Sequence, residues 1–496
     1  MHELYTPEQV ARLDRHAMDV GGIPGETLME RAGRRAWEEL RRRWPRAQRV
    51  VVVCGGGNNG GDGYVVARLA LRAGLAVTVR YLVEPERLSG DAATHAQRFR
   101  EAGGDCRPCS DGALAEAEVV VDAVLGTGLD RPVEGRFAEA VTAIRDAACP
   151  VIAVDIPSGI HGRSGAEMGV AVAADVTVTF VARKSGLATG RGAACRGELV
   201  FDDLGAAAAT YGVETPYAGL VEPGDVRGLL PPRPRDAHQG RYGHVLVVGG
   251  DHGMPGAVRL AGEAAARVGA GLVSVATRPE HVAAVVGARP ELMVHGVTGG
   301  GDLAPLLERA SVVALGPGLG RGDWGRELLG ACRAGARRQV IDADGLNLLA
   351  EAGGGPAGAI LTPHPGEAQR LLGGEWGTAA IAADRFAAAR ALAERWQGCA
   401  LLKGLGTVVD DGSARYVATR GTPGMASGGM GDVLTGVVAG LWAQCPDAEP
   451  ARVAAVAAWL HGRAGERAAA GLAGTAGLLA GDLLAELPAS RAEGGS

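Results

Sequence analysis

Apolar residues recur along this chain with two periods. Thr6-Pro7-Glu8-Gln9 opens a helical stretch, with Thr6 as N-cap, Pro7 at the first helical position and Gln9 completing a capping box. Val10, Leu13 and Ala17 follow at helical spacing, and a second helix is expected from about Glu26, with Leu28, Ala32, Ala36 and Leu40 on one face. Short apolar runs then alternate with helical segments. Strands are expected at 50–53, 76–82, 119–125, 151–155 and 176–180, with a Gly-rich loop and a helix over 65–73 after the first of them. Between about 212 and 240 the pattern breaks, because Pro216, Pro223, Pro231, Pro232 and Pro234 fall within 19 residues. That is linker composition. Beyond it the alternation restarts, with strands at 244–248, 272–276, 312–315, 340–342, 359–362 and 401–403 and a helix over 257–268. Strand–helix alternation of this kind predicts α/β architecture with parallel, doubly wound sheets. Two such domains are expected, 1–215 and 241–490, joined by a Pro-rich linker at 216–240. No internal repeat relates them.

Composition narrows the function classes. Hydrophobic residues make up 47% and charged residues 21%, which gives ample core and argues against disorder. The net charge is −6, so nothing global draws the chain to nucleic acid or to an anionic membrane. No apolar run reaches the ~18 residues a bilayer span needs, and the first residues are charged without a signal-peptide core. A cytoplasmic, homo-oligomeric protein acting on small molecules is expected. Eight cysteines are too sparse for a disulfide scaffold, and Cys106 with Cys109 has no second pair to complete a zinc site. Glycine, 80 of 496 residues, is clustered rather than periodic, which points to ligand loops. Of the 50 basic residues, 48 are Arg and two are Lys, Lys184 and Lys403. Those two positions are expected to need a compact ammonium that a planar guanidinium cannot replace.

The candidate chemistry of the first half sits at strand ends. CGGGNNGGDG (Cys54–Gly63) follows the first strand, and a helix is expected to begin near Tyr64, offering free N–H groups to a phosphate. The spacing is not the dinucleotide fingerprint G-x-G-x-x-G, and the second strand runs into Arg80-Tyr81 rather than an acid. VVVDAVLGTGLDRP and VIAVDIPSG end two further strands with Asp122, Asp155 and Ser158, and Lys184 follows another in TFVARKSGL. Asn59, Asp122, Asp155 and Ser158 would share one sheet edge. Carboxylates and neutral oxygens without His or Cys favour a hard cation.

GNNGGDG, VVDAVLGTGL, VDIPSG and TFVARKSGL together resemble the YjeF N-terminal family of NAD(P)H-hydrate epimerases, over about residues 8–210. The resemblance implies a Rossmann-like three-layer domain that interconverts the R and S forms of a nicotinamide nucleotide hydrated at C6. It implies that Asn58, Asn59, Gly60, Gly61 and Asp62, then Gly126, Thr127, Gly128, Leu129, Asp130, Arg131 and Pro132, and Asp155 bind the hydrate. Asn59, Asp122 and Ser158 would bind K+. Inversion at C6 needs acid–base help through ring opening or loss of hydroxide, and Asp155 with Lys184 are the candidates, their roles undivided.

In the second half, GMASGGMGDVLTG (Gly424–Gly436) feeds a Gly-rich turn into an apolar helix, with Asp432 at its start. Free N–H groups there form an anion hole for a transferring phosphoryl, and Asp432 can deprotonate a hydroxyl. The competing explanation is that Asp432 caps the helix. This turn resembles the ribokinase-like superfamily. LGPGLG and DADGLN are further polar clusters, and LTPHPGE, KGLGT and GMASGGMGD in that order resemble the YjeF C-terminal family of ADP-dependent NAD(P)H-hydrate dehydratases, over about 222–488. The resemblance implies that Lys403, Gly404, Leu405, Gly406, Thr407 and Gly431 contact the adenine nucleotide, with Mg2+ accompanying ADP. Ala257, Gly318, His364 and Asp432 would contact the hydrate, whose S form is dehydrated to NAD(P)H, AMP and phosphate. Asp251-His252 and Gly345 depart from the usual pattern. The alternative is a ribokinase-type small-molecule kinase fused to a non-catalytic nucleotide-binding module, which would leave a phosphorylated product rather than restore dihydronicotinamide.

Overall fold

The computed structural model describes residues 2–110, 112–230, 232–335 and 338–493. The chain forms two compact units, one spanning Glu3–Ala218 and the other running from Gly219 onward.

The first unit holds seven parallel strands in the order Asp105–Pro108, Ala76–Tyr81, Arg49–Cys54, Val119–Ala123, Val151–Val154, Val176–Phe180, Glu198–Asp202. Successive strand residues face opposite sides, and here both sides are apolar. Val50 and Val52 join Leu28, Ala32 and Tyr64 in one core, while Val51 and Val53 join Val141 and Ile144 in the other. Helices therefore cover both faces, as a parallel sheet requires. The helix Pro7–Asp19 begins with the expected capping box, Gln9 Oε1 accepting the Thr6 N–H at 2.9 Å. From Arg49–Cys54 the chain adds two strands on one side, then crosses to Val119–Ala123 on the other. The order reverses between those two strands, which is where open α/β sheets bind ligands.

One expectation is corrected here. The helix after the first strand spans Asn58–Arg72 and does not wait for Tyr64. Its glycines allow this by packing without side chains: a Cβ at Gly63 would lie 2.6 Å from that of Ala123.

The second unit repeats the same switch. Its strands run in the order Met293–Gly296, Leu272–Thr277, His244–Val248, Val312–Leu315, Arg338–Ile341, Ile360–Leu361, Cys399–Leu402, Thr407–Asp410, Arg415–Ala418, Ala218–Leu220. The first seven are parallel, and Cys399–Leu402, Thr407–Asp410 and Arg415–Ala418 then form an antiparallel meander that the alternation pattern did not reveal. Nor is the Pro-rich stretch a plain tether. Gly219 and Leu220 pair in parallel with Tyr416 and Val417, and Pro223–Leu229 is a helix whose Val226 and Leu229 enter the core. Pro223 occupies the first helical position, where its missing N–H costs nothing. Pro231 lies outside the described residues. No helix among the described residues is long and apolar enough to cross a membrane.

Candidate active sites

In the first unit, the loops on either side of the switch point touch. A Cβ at Gly55 would fall 1.9 Å from the Val124 carbonyl oxygen, so this approach requires glycine. Contact brings Asn59 to Leu125, whose carbonyl accepts from Asn59 Nδ2 at 3.2 Å. Ser158 completes the cluster: its hydroxyl donates to Asp122 Oδ1 at 2.6 Å and accepts the Leu125 N–H at 2.8 Å, and its own N–H reaches Asp122 Oδ2 at 2.8 Å. Burial pushes the Asp122 carboxyl up to about 6 despite these hydrogen bonds. Asn59 Oδ1 is buried and has no partner among the described residues. An unpartnered amide oxygen beside a buried carboxylate and a hydroxyl suits a hard monovalent cation, which would satisfy both the oxygen and the charge.

Next to this cluster lies a cavity of about 760 Å³, lined by Asn58, Asn59, Asp62, the loop Gly126–Arg131, Asp155 and Lys184. Gly60, Gly61 and Pro132 do not line it. Gly60 and Gly61 serve packing instead: a Cβ there would lie 2.3 Å from the Gly55 oxygen and 2.5 Å from Met29 Sδ, respectively.

At the cavity floor Lys184, 1% exposed, forms an ion pair with Asp155. Its Nζ donates to Asp155 Oδ1, to Thr179 Oγ1 at 3.2 Å and to the Phe180 carbonyl at 2.8 Å. Asp155 itself has φ 65° and nearby Val181 φ 61°, so the backbone here is strained at two residues. Two further acids of the lining, Asp14 and Asp62, are shifted by their surroundings. Burial raises both, Asp14 to about 6, and the negative Asp155 adds to the effect. Asp14 escaped the sequence reading. A signal existed, since Asp14 adjoins the apolar stripe of Val10, Leu13 and Ala17.

In the second unit the helix spans Met430–Gln444, and its N-cap is Gly429 at φ 86°, with no side-chain cap. Asp432 is thus inside the first turn and does not cap the helix. Burial, reinforced by Asp342, lifts its carboxyl to about 7. Lys403 Nζ donates to Asp342 Oδ1 at 2.7 Å and lies 3.6 Å from Glu367 Oε2, while the Thr435 hydroxyl donates to Asp342 Oδ2 at 2.8 Å. Burial works against the Lys403 charge, but Asp342 and Glu367 outweigh it and hold the ammonium above its ordinary value. A Cβ at Gly431 would lie 3.5 Å from Lys403 Nζ, which sets the lysine against the first turn of the helix.

The remaining expected residues divide. His364 is the N-cap of Pro365–Leu372, with Nδ1 accepting the Gly366 N–H at 3.0 Å. Its Nε2 therefore carries the proton when the ring is neutral. Gly318, at φ 57°, abuts Ala257, and Gly429 abuts Leu260 on the same helix as Ala257. Leu405 is exposed, and Thr407 closes its loop by donating to the Gly404 carbonyl at 3.1 Å. Beneath that loop lies Arg385, a residue that sequence reasoning missed. It is 5% exposed, burial pulls its guanidinium down to about 10, and it donates to the carbonyls of Leu402 at 3.0 Å and Lys403 at 3.1 Å. The departures are local: Asp251 accepts from Arg278 at 2.7 Å, and a Cβ at Gly345 would lie 3.0 Å from the Leu315 oxygen.

Residues 25–186 match the family model described as YjeF-related protein N-terminus, and 245–489 match that described as NAD(P)H-hydrate dehydratase. The bifunctional NAD(P)H-hydrate repair enzyme of Coxiella burnetii is 48% identical over 98% of this chain and 99% of its own length. The chain belongs to the bifunctional NAD(P)H-hydrate repair enzymes. The member from Escherichia coli K12 is 41% identical over 98% of this chain and 93% of its own length. The ADP/ATP-dependent NAD(P)H-hydrate dehydratase of Bacillus subtilis, co-crystallised with ATP and Mg2+, superposes with a TM-score of 0.50 at 28% identity, covering 55% of this chain and 98% of that one. Membership in this repair family sets aside the small-molecule kinase with a non-catalytic partner. Asp14 lies N-terminal to the matched 25–186 segment. Asp342, Glu367 and Thr435 lie inside the matched dehydratase segment, the two acids beside Lys403 and Thr435 bonded to Asp342. The polar clusters DADGLN and LTPHPGE contained both acids in plain view.

Proposed function

We propose that the first unit interconverts the R and S hydrates of NADH and NADPH, and that the second dehydrates the S hydrate with ADP to give NAD(P)H, AMP and phosphate. The observation that carries this is the pairing, in one family member, of an acid-lined cavity at one switch point with a helix N-terminus beside a titrating Asp432 at the other.

In the first unit, Asn58, Asn59, Asp62, Gly126–Arg131 and Asp155 would hold the hydrate. Asn59, Asp122 and Ser158 would hold K+, whose charge would stabilise ionised Asp122 and order the loops carrying Leu125 and Asn59. Asp155 and Lys184 would present fixed charges to the ring.

In the second unit, hydroxide is a poor leaving group, so the C6 hydroxyl must first become a phosphate ester. Asp432 takes the hydroxyl proton, and the oxygen attacks the terminal phosphoryl of ADP, held by the N–H groups of the first turn and by Lys403. One donor of such an anion hole is worth about 3 kcal/mol. Phosphate then leaves with the C6–O electron pair, driven by the ring nitrogen lone pair, and loss of the C5 proton restores the dihydronicotinamide. Mg2+ would supply charge neutralisation on the nucleotide phosphates. Ala257, Gly318 and His364 would hold the hydrate, and Gly404–Thr407 the nucleotide.

The test is incubation with chemically hydrated NADH, with and without ADP, following dihydronicotinamide absorbance and each epimer. Full consumption of both epimers with ADP, and epimer interconversion without it, is expected. A stable phosphorylated hydrate as end product would contradict the dehydration step.

A further inference from the structure

The Asp155–Lys184 pair is poorly suited to moving protons. All three N–H bonds of Lys184 are engaged, by Asp155 Oδ1, Thr179 Oγ1 and the Phe180 carbonyl. Asp155 Oδ1 also accepts from the Thr179 hydroxyl and the Phe180 N–H, both at 3.2 Å. Proton transfer within this pair would leave buried polar groups unmatched.

Asp14 differs in every respect. Tyr5 pairs with Lys184 in a short parallel ladder, and the helix Pro7–Asp19 starts two residues later, which hangs Asp14 over the same cavity. Among the described residues Asp14 has no hydrogen-bond or ion-pair partner. The charged and titratable groups around it are Lys184, Asp155, Asp62 and Tyr211, with Asp91, Asp130 and Arg131 further along the cavity wall.

We propose that Asp14 is the proton carrier of the first site, relaying one proton between the C6 hydroxyl and the ring nitrogen of the bound hydrate. The inference rests on the epimerase reading of this unit. Ionised Asp14 takes the hydroxyl proton, the C6–O electrons form a carbonyl, and the C6–N bond breaks. The departing nitrogen receives the proton from Asp14. Rotation about C5–C6 turns the aldehyde, the nitrogen attacks its opposite face, and the proton returns through Asp14 to the new alkoxide. No atom is gained or lost, and no other reactant is needed. A carboxyl raised to about 6 by burial suits both halves of this relay, since it is mainly a base at neutral pH yet gives its proton up readily. Asp155 and Lys184 remain a fixed, positioning ion pair.

The experiment uses the full chain with R hydrate, S hydrate and ADP. Asp14→Asn should lower the epimerisation kcat by ~10²-fold or more, with KM changed little and S hydrate still consumed with ADP. The wild-type rate should climb as pH rises through about 6, and that limb should vanish in Asp14→Asn. Formate should restore part of the activity of Asp14→Ala, with a pH dependence set by the added acid. Near wild-type epimerisation by Asp14→Asn, or a folded Asp14→Ala that formate cannot rescue, overturns the proposal. Absence of epimerisation in the wild-type chain is a different result, and removes the epimerase reading itself.

Discussion

The two sites are built on one plan and diverge in how they use it. Each unit spends its single lysine on an aspartate at a parallel strand end, Lys184 on Asp155 and Lys403 on Asp342. Each adds a threonine hydroxyl to that aspartate, from Thr179 and Thr435. Each places a left-handed non-glycine residue there, Asp155 itself at φ 65° and Ala343 at φ 47°. The difference lies in closure. Lys184 is 1% exposed and its donors are full, whereas Lys403 is 20% exposed and faces a second acid, Glu367, and the start of a helix. In the first pair only the aspartate, 17% exposed, reaches the cavity, and its lysine is held in place as a fixed charge. An open pair can receive an anion, and its Asp342 helps to push Asp432 toward neutrality. The same pair thus opens to its site through the aspartate in one unit and through the lysine in the other.

The largest expected effect breaks the second site alone. Asp432→Asn keeps the side-chain volume, and because Gly429 is the N-cap, no cap is lost. Removal of the base should cost ~10²–10⁴ in dehydration, measured with S hydrate and ADP, while epimerisation is unchanged. The sign of the pH effect follows from the raised carboxyl. Below about 7 Asp432 is protonated and cannot accept, so wild-type dehydration should rise as pH passes upward through about 7. Near wild-type dehydration in the variant would remove Asp432 from the chemistry.

Next in size is the Asp155–Lys184 pair. Lys184→Met strands a partly buried Asp155, and breaking such a pair costs about 3–5 kcal/mol. Urea unfolding should show this loss in the first unit, and Asp155→Asn added to Lys184→Met should recover part of it. A double variant no better than the single would mean that Lys184 does not stabilise by pairing. Exchange of K+ for tetramethylammonium should act in the same unit but on rate, slowing epimerisation at least ~10-fold, as loss of a charge neutralising buried Asp122 implies, and leaving dehydration intact. Equal rates in both salts would sink the cation site.

Much of this was legible in the sequence because the sites sit where parallel strands end. Strand ends announce themselves, as in VIAVDIPSG and QVIDADGLN, by an apolar run stopping at an acid. The two lysines stood out against 48 arginines, and each pairs with an aspartate at a strand end. What stayed hidden was contact at a distance. Asp14 looks like one more polar position on an amphipathic helix until Tyr5 pairs with Lys184 and swings it over the cavity. The meander of Thr407–Asp410 and Arg415–Ala418 was hidden for a related reason, since short strands without a clear period depend on their neighbours. The prolines misled in the opposite direction. They mark the boundaries of short packed elements, a role composition cannot separate from that of a linker.

The smallest expected effect sharpens the contrast from beneath the second site. Arg385 is a buried cation whose Nη2 donates to the carbonyls of Leu402 and Lys403. A Cβ at Gly404, at φ 149°, would lie 2.8 Å from its guanidinium, so loop and arginine fit face to face. Arg385→Lys keeps the charge, but its ammonium sits one bond nearer the backbone than Nη2, which donates to both carbonyls, and so falls short of them. Loss of one hydrogen bond to a charged group costs about 1.5–3 kcal/mol. Part of that loss should appear as a less ordered nucleotide loop, raising KM for ADP ~10-fold while kcat falls less, because Asp432 and the helix N-terminus are untouched. Arg385 belongs to the second unit, so epimerisation should not change. If kcat falls and KM holds, Arg385 acts on the position of Lys403 against the phosphoryl group, and the loop is not what it supports.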